Sequence, residues 1–332
     1  MLKYTRRVAL VSLTALLGLS AAGWAQLPAK LDKITVAGWS KPITEITPLL
    51  VEEDKGFYKA NGIALDYVPG AGGGDAIRNI LSGQADVAFT DPGSLFSALD
   101  KGEKLRAIYD IYPQNVFNVV SLKAANINQP ADLKGKKIGV YSLSSGTRQN
   151  LQVLLHQAGL TEADVTVVVT GVLNFAPLLQ GQVDATAATD TGLLVGKRKG
   201  LGDVNVMEVG KYLNVSSDMY VVREEVYQQK KAVLKRFLKA YRDSAAWMIA
   251  MPEEAAQLAA KRAIDGTDPA INLEIIRLRN ASSVSAATQK NGLGAFDLES
   301  LQKAADAYRK LGLIERDIKV SDVVSAELLP PR

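Results

Sequence analysis

LSGQADVAFTDPG (residues 81–93) and LQGQVDATAATDTG (residues 179–192) are two versions of one phrase, about a hundred residues apart. Each version ends a predicted helix with Gly-Gln-x-Asp, continues through a short strand and finishes in Thr-Asp-x-Gly, where the next helix is predicted to begin. Glycine is favoured just after a helix C-terminus, and Asp and Thr are favoured as N-caps. The recurrence of the whole phrase predicts two similar lobes, each presenting the same strand end.

The phrase lies within an alternation of short β-rich runs and helical stretches. Alternation of this kind, with short connections, predicts parallel strand pairing and open α/β sheets. After the second lobe, residues 230–311 are predicted to be almost entirely helical. The predicted strands cover residues 34–38, 63–68, 85–90, 105–111, 116–122, 138–141, 165–169 and 184–189. The predicted helices between them cover residues 42–59, 75–81, 145–158 and 174–179.

The N-terminal segment has the features of a secretory signal peptide. Lys3, Arg6 and Arg7 form a positive region, and residues 8–19 form an apolar run that is too short to cross a bilayer. Small residues then lead to a predicted cleavage site after Ala25. We therefore expect residues 1–25 to be removed and the mature chain to be exported.

The composition of the chain limits which cellular compartment and which classes of binding partner are expected. Without residues 1–25 the chain has 36 basic and 35 acidic residues, and they are interleaved, so nothing predicts nucleic-acid binding. The chain has no cysteine. This excludes disulfides, thiol nucleophiles, zinc–cysteine sites and a lipid-modified cysteine anchor. An exported protein without that anchor is expected to be free in the periplasm.

The chain is long enough for two lobes of ordinary domain size. The first part of lobe 1 is predicted at residues 26–113 and lobe 2 at residues 114–217. The chain is then predicted to return to lobe 1 at residues 218–332, which include the C-terminal helices. Lobe closure is expected to occur about residues 112–114 and 212–218.

The candidate ligand-binding residues follow the carboxyl ends of the predicted strands. Ligands of open α/β sheets bind there because helix N-termini converge at the same edge. If the two lobes face each other, these loops line one cleft. The predicted ligand-binding residues are Trp39, Ser40, Gly72, Gly73, Thr90, Asp91, Ser144, Ser145, Gly146, Thr147, Asn174, Thr189 and Asp190.

These loops admit more than one interpretation. The glycines at 70–74 match neither the dinucleotide fingerprint nor a P-loop, and they are either a flexible turn or a surface of backbone N–H groups. Asp91 and Asp190 are either helix caps alone or partners that face each other across the cleft and bind N–H groups. Trp39 is either core or a platform for a flat ligand. Helix starts such as residues 144–147 also suit an anion.

A catalytic constellation is missing from the sequence. The single histidine, His156, is placed near a predicted helix C-terminus, and there is no cysteine to pair with it. Clusters of the usual metal ligands are likewise unavailable. We therefore expect no metal, no cofactor and no enzymatic activity, although carboxylate pairs leave an enzyme possible on composition alone.

Several short phrases resemble one family of substrate-binding proteins. Their order and spacing are similar to those of the nitrate/sulfonate/taurine and thiamine-pyrimidine group of ABC-transporter receptors, over about residues 33–310. The phrases are E-x-K-G-F-Y (53–58), G-I-x-L (62–65), GGG (72–74), SGQAD (82–86), DLKGKKIGV (132–140) and G-x-V-D-A (181–185).

This resemblance implies a type II periplasmic-binding-protein fold, with two open-sheet lobes, a central cleft and two hinge crossings. It also implies a monomeric receptor that delivers a small molecule to a membrane permease with its ATPase. Fungal pyrimidine synthases of the same fold use a cysteine-rich motif and a catalytic histidine. The absence of cysteine here disfavours that branch.

Ligand identity does not follow from the resemblance. Trp39 and the two aspartates favour a small, flat, nitrogen-containing or aromatic molecule. A sulfonate, nitrate or carboxylate anion is the first alternative. An exported enzyme like the pyrimidine synthases and a receptor that feeds a sensor are the others.

Overall fold

The computed structural model describes residues 30–171 and 175–331, and the part from Leu31 onward forms one compact unit. The predicted signal peptide and Asn174 lie outside the described residues. The strands are β1 (Asp32–Ala37), β2 (Ile63–Val68), β3 (Val87–Thr90), β4 (Leu105–Tyr112), β5 (Phe117–Leu122), β6 (Lys137–Val140), β7 (Thr166–Val169), β8 (Ala185–Thr189), β9 (Val204–Glu208) and β10 (Asp218–Arg223).

Helices connect the strands and make up most of the C-terminal third. The first ten are α1 (Thr47–Leu50), α2 (Glu52–Lys55), α3 (Phe57–Ala60), α4 (Gly73–Leu81), α5 (Pro92–Asp100), α6 (Gly146–Gln157), α7 (Ala176–Leu179), α8 (Asp190–Arg198), α9 (Glu224–Gln229) and α10 (Lys231–Ala250). They are followed by α11 (Pro252–Arg262), α12 (Pro269–Ser282), α13 (Ala286–Asn291), α14 (Leu298–Lys310) and α15 (Val320–Val323).

The prediction of one continuous helix over residues 42–59 is wrong. The segment is a chain of single turns, α1 to α3, because the backbone bends at Val51 and again at Gly56. Gly56 has φ +67°, a left-handed conformation that ends α2 and that glycine adopts without steric cost.

The strands form two open five-stranded sheets of the same topology. Sheet 1 has the order β2-β1-β3-β10-β4 and sheet 2 the order β7-β6-β8-β5-β9. The predicted α/β class is therefore confirmed. The prediction of parallel pairing holds only for the first three strands of each sheet, because β10 and β5 enter from the other lobe and pair antiparallel with their neighbours. Both sheets are mixed.

The repeated phrase occupies the same place in each sheet. Its strands are β3 and β8, each third in the parallel set. The carboxylate of Asp86 accepts a hydrogen bond from the Thr35 N–H, and that of Asp184 accepts one from the Lys137 N–H, at 2.9 and 2.8 Å. The Asp of each Gly-Gln-x-Asp therefore links the start of β3 to β1 in sheet 1 and the start of β8 to β6 in sheet 2.

Two segments connect the sheets, between β4 and β5 and between β9 and β10, and they run side by side. The Ser217 N–H donates to the Tyr112 carbonyl at 2.9 Å, and the Asn115 N–H donates to the Asn214 side-chain oxygen at 3.1 Å. Ser216, on the connection between β9 and β10, also donates its hydroxyl hydrogen bond to the buried carboxyl of Asp110 on β4, at 2.7 Å. The crossings thus form one hydrogen-bonded ribbon.

An aromatic cluster fills the core between sheet 1 and α10. Tyr220 on β10 lies 5.3 Å from Phe237 and 4.8 Å from Tyr241, ring centre to ring centre, in edge-to-face geometry. The apolar side chains of α10 form this packing surface, and most of them are buried. Among the described residues, no helix is both long and apolar enough to cross a membrane.

We expect Asp110 to make stability depend on pH. Burial raises the pKa of Asp110 to about 8, and Ser216 opposes this shift only in part. The folded protein therefore keeps a proton that the unfolded chain, with a carboxyl pKa of about 4, has lost. The contribution of this group to the free energy of unfolding consequently falls as the pH rises from about 4 to about 8.

Asp110→Asn, which is neutral at every pH, should lose less stability than the wild type between pH 5 and pH 8 in urea denaturation. Asp66→Asn, at an exposed position, is the matched control and should follow the wild type. An Asp110→Asn slope equal to that of the wild type would contradict the assignment.

Candidate functional site

A cavity lies between the two sheets, at the carboxyl ends of their strands. Small molecules bind at this position in open α/β folds. Sheet 1 and its helices contribute Trp39, Glu45, Gly72, Gly73, Asp91 and Asp218. Sheet 2 and its helices contribute Val116, Phe117, Tyr141, Ser145, Gly146, Thr147 and Thr189.

Strand ends and helix starts position these residues. Trp39 follows β1, Asp91 follows β3, and Tyr141 follows β6. Helices α4 and α6 begin at the cavity, so their first N–H groups lie at its edge. Glycine is favoured at position 146 because a side-chain ring packs against its backbone, and a Cβ there would lie 2.7 Å from the Phe117 ring.

Eight of the residues predicted to bind ligand line this one cavity: Trp39, Gly72, Gly73, Asp91, Ser145, Gly146, Thr147 and Thr189. Four others lie beside it and are engaged within the protein. The Ser40 hydroxyl donates to the Lys41 carbonyl, Thr90 to Gly73, and Ser144 to Ala71. The fourth is Asp190, whose carboxylate pairs with Arg279. Asn174 is outside the described residues.

Five lining residues were missed: Glu45, Val116, Phe117, Tyr141 and Asp218. Val116 and Phe117 lie in the segment predicted only as a strand (116–122), and Asp218 lies in the segment predicted only as a hinge (212–218). Tyr141 is the last residue of a predicted strand (138–141), so its position at a strand end could have been found. Glu45 had no such signal, because it lies inside a segment predicted to be helical.

Aromatic side chains form much of the cavity wall. The Trp39 ring stands edge-to-face against Phe89 at 6.3 Å and against Tyr141 at 6.4 Å, between ring centres. Trp39 is half-buried, and Phe117 is almost fully buried. Aromatic faces held in this way offer a flat, apolar surface to a ligand.

Arg279 of α12 is fully buried beside the cavity without lining it. Its guanidinium pairs with Asp190 of the second lobe, and its Nε lies 3.2 Å from Glu45 Oε2 of the first. It also lies over the Tyr112 ring, 5.3 Å from the ring centre. The expected pair of Asp91 and Asp190 across the cleft is therefore not formed, because Asp190 is held by this arginine.

Glu45 connects the arginine to the cavity wall. Its Oε1 accepts a hydrogen bond from the Thr191 hydroxyl at 2.6 Å. Burial raises the pKa of Glu45, and Arg279 and Thr191 act against this shift. One residue of the first lobe thus contacts the ligand space, the buried arginine and the second lobe.

The other two carboxyl groups of the cavity differ from each other. Asp91 caps α5, where its two oxygens accept the Ser94 N–H at 2.8 Å and the Ser94 hydroxyl at 2.9 Å. Burial raises the pKa of Asp91 to about 6. Asp218 makes no side-chain hydrogen bond to any described residue, and burial together with Asp91 raises its pKa well above the ordinary carboxyl value.

The two lobes touch across the cleft. The Gly74 N–H donates to the Ser144 carbonyl at 3.0 Å, and the Gln149 side-chain amide donates to the Ser94 hydroxyl at 3.0 Å. The Ser142 hydroxyl also donates to the Ala71 carbonyl. The structure is therefore a closed form. His156 is exposed at the end of α6, outside the cavity lining.

Two open sheets, paired crossings and a cavity between them define the periplasmic-binding-protein fold. The alkanesulfonate-binding protein SsuA from Xanthomonas axonopodis pv. citri, bound to MOPS, matches with a TM-score of 0.70 at 16% identity. The match covers 90% of this chain and 99% of that one. At this level of identity the similarity establishes the fold.

The chain belongs to the NMT1/THI5-like family, whose model matches residues 43–255. This confirms the resemblance that the sequence motifs indicated. The chain is 23% identical over 307 residues to the riboflavin-binding protein RibY of Chloroflexus aurantiacus, covering 90% of this chain and 87% of that protein. It is 22% identical over 218 residues to 4-amino-5-hydroxymethyl-2-methylpyrimidine phosphate synthase of Schizosaccharomyces pombe, covering 62% of each.

Replacing the buried Arg279 should lower the free energy of unfolding substantially. Arg279→Met removes the cation between Glu45 and Asp190 and leaves buried negative charge uncompensated, so we expect a loss of about 3–5 kcal/mol in the free energy of unfolding. Arg277→Met on the same helix is the matched control. Arg277 is exposed and paired only with Glu253, so its loss should change stability by about 0.5 kcal/mol or less.

Chemical denaturation of the two variants in parallel measures the difference. Equal and small losses would show that the arginine does not hold the closed form together.

Proposed function

We propose that this protein is the exported solute-binding receptor of an ABC importer and binds a small, flat, nitrogen-containing or aromatic molecule between its lobes. The composition of the cavity wall carries this proposal. Three carboxyl groups and three aromatic rings line the cavity, and no lysine or arginine of the described residues does. Such a wall favours a planar ligand that donates N–H groups.

The charge balance disfavours an anionic ligand. The nearest buried cation, Arg279, already faces Glu45 and Asp190. An anion would have to rely on helix N-termini while lying beside Asp91 and Asp218. Helix N-termini do bind anions, so a sulfonate or carboxylate receptor is the alternative that the ligand experiment must separate.

The crossings support the transport role. Two adjacent connections allow the lobes to move as bodies while the sheets stay intact, and ligand contacts on both sides favour the closed form. We propose lobe boundaries at residues 113/114 and 217/218, a monomer in the periplasm, and recognition of the closed form by a permease. Removal of residues 1–25 is part of this proposal.

Native mass spectrometry of the protein purified from its own host is the first test, since a closed receptor can retain its ligand. We expect a bound molecule with an aromatic or heterocyclic ring. A thermal-shift panel of heterocycles, alkanesulfonates and carboxylates then follows, because a ligand at about 100 times its Kd stabilises the folded state by about 2.7 kcal/mol.

Stabilisation by sulfonates or carboxylates alone would contradict the proposed ligand class. Turnover of the retained molecule by the purified protein would contradict the role as a receptor.

A further inference from the structure

Among the described residues, Asp218 is the one carboxyl group of the cavity whose side chain has no hydrogen-bond or ion-pair partner. It is the first residue of β10, directly follows the second crossing, and is only 8% exposed. Both oxygens of Asp91 are taken by Ser94, and Glu45 is engaged by Thr191 and Arg279. The side chain of Asp218 makes no hydrogen bond with any residue between 30–171 or 175–331.

An unpartnered buried carboxyl group is costly in a folded protein. Burying an ionised group without a partner costs several kcal/mol, so such groups are rarely present without a role. The charged groups that face Asp218 are Asp91, Glu45, Asp110 and Arg279. Three of them are acidic, and the fourth is committed to Glu45 and Asp190. Among the described residues, Arg279 is the cation that acts on Asp218, and its charge offsets only part of the effect of burial, since the pKa of Asp218 stays well above the ordinary carboxyl value.

We propose that Asp218 is the specificity-determining residue of the cleft, and that its carboxylate binds a planar cationic head group carrying N–H donors, of the amidinium or aminopyridinium type. This inference rests on the proposed function and makes it more specific. An N–H-bearing cation supplies both the charge and the hydrogen bonds that Asp218 lacks. The rings of Trp39, Phe117 and Tyr141 in the same wall suit a flat cation, through their π faces.

The position of Asp218 also connects recognition to closure. Its neighbour Ser217 donates a backbone hydrogen bond to Tyr112 of the first crossing, so Asp218 lies where the two crossings join. A cation bound there would contact the hinge itself and the walls of both lobes. Closed and open forms would then differ in how well they neutralise this carboxylate.

Three probes of one size test the proposal: benzamidinium (a planar cation), benzamide (its neutral isostere) and benzenesulfonate (an anion). Their dissociation constants are measured by isothermal titration with the wild type, Asp218→Asn, Asp91→Asn and the exposed-site control Asp66→Asn. Asp91→Asn is the matched cavity variant, because an amide oxygen can still cap α5.

We expect the wild type to bind benzamidinium more tightly than benzamide. Asp218→Asn should weaken benzamidinium by about tenfold or more and leave benzamide unchanged. Asp91→Asn should weaken benzamidinium less, and Asp66→Asn should match the wild type. Because burial raises the pKa of Asp218, a cation that needs the carboxylate displaces a proton. Wild-type affinity for benzamidinium should therefore rise with pH, and Asp218→Asn should reduce that rise.

Failure of this inference is distinguishable from failure of the proposed function. Benzamidinium binding that Asp218→Asn leaves unchanged, or that only Asp91→Asn weakens, overturns the role of Asp218 and leaves the nitrogen-ligand receptor intact. Preference of the wild type for benzenesulfonate, or binding of none of the probes, overturns the cationic head group. A benzenesulfonate preference also counts against the proposed ligand class.

Discussion

The buried guanidinium of Arg279 is the interaction on which the closed structure depends. Placing an unpaired arginine in a protein interior costs several kcal/mol, and this cost is offset only if carboxylates accompany it. Here the carboxylates come from Glu45 of the first lobe and Asp190 of the second. One side chain of the C-terminal helices therefore holds together three segments that are far apart in sequence, and it does so directly behind the ligand space.

This arrangement determines the charge of the cavity. Arg279 is paired with Glu45 and Asp190, and its charge offsets only part of the effect that burial has on Asp218. Asp91 is satisfied locally by the start of α5, where it serves as an N-cap. The remaining carboxyl group, Asp218, faces a cavity with aromatic walls. The proposed preference for a planar, N–H-bearing ligand rests on this charge balance, because Arg279 is already paired with Glu45 and Asp190.

Much of the architecture could be predicted from the repeated phrase and the alternation of elements. Gly83 and Gly181 end their helices, and Asp86 and Asp184 make equivalent hydrogen bonds in the two sheets. Such features are local and recur, so the sequence displays them. Because the strand ends converge at one edge of each sheet, most of the predicted loops lie at one cavity.

The features that could not be predicted from the sequence depend on contacts between segments that are far apart in the chain. Arg279 lies in a helical stretch with no strand-end signal, and nothing near it in the sequence indicates burial among carboxylates. Asp190 has the sequence context of Asp91, yet it binds this arginine instead of facing the cavity. The antiparallel entry of β5 and β10 likewise follows from the exchange of strands between lobes, and a single-chain pattern does not encode it.

Small-angle X-ray scattering with and without a bound molecule tests the central claim that the cleft closes on its ligand. The molecule is the one recovered from the purified protein, added back at saturation to protein freed of it by unfolding and refolding. We expect a smaller radius of gyration on binding, with the bound curve matching the closed structure. Saturation of the site with no change in the scattering curve would contradict it.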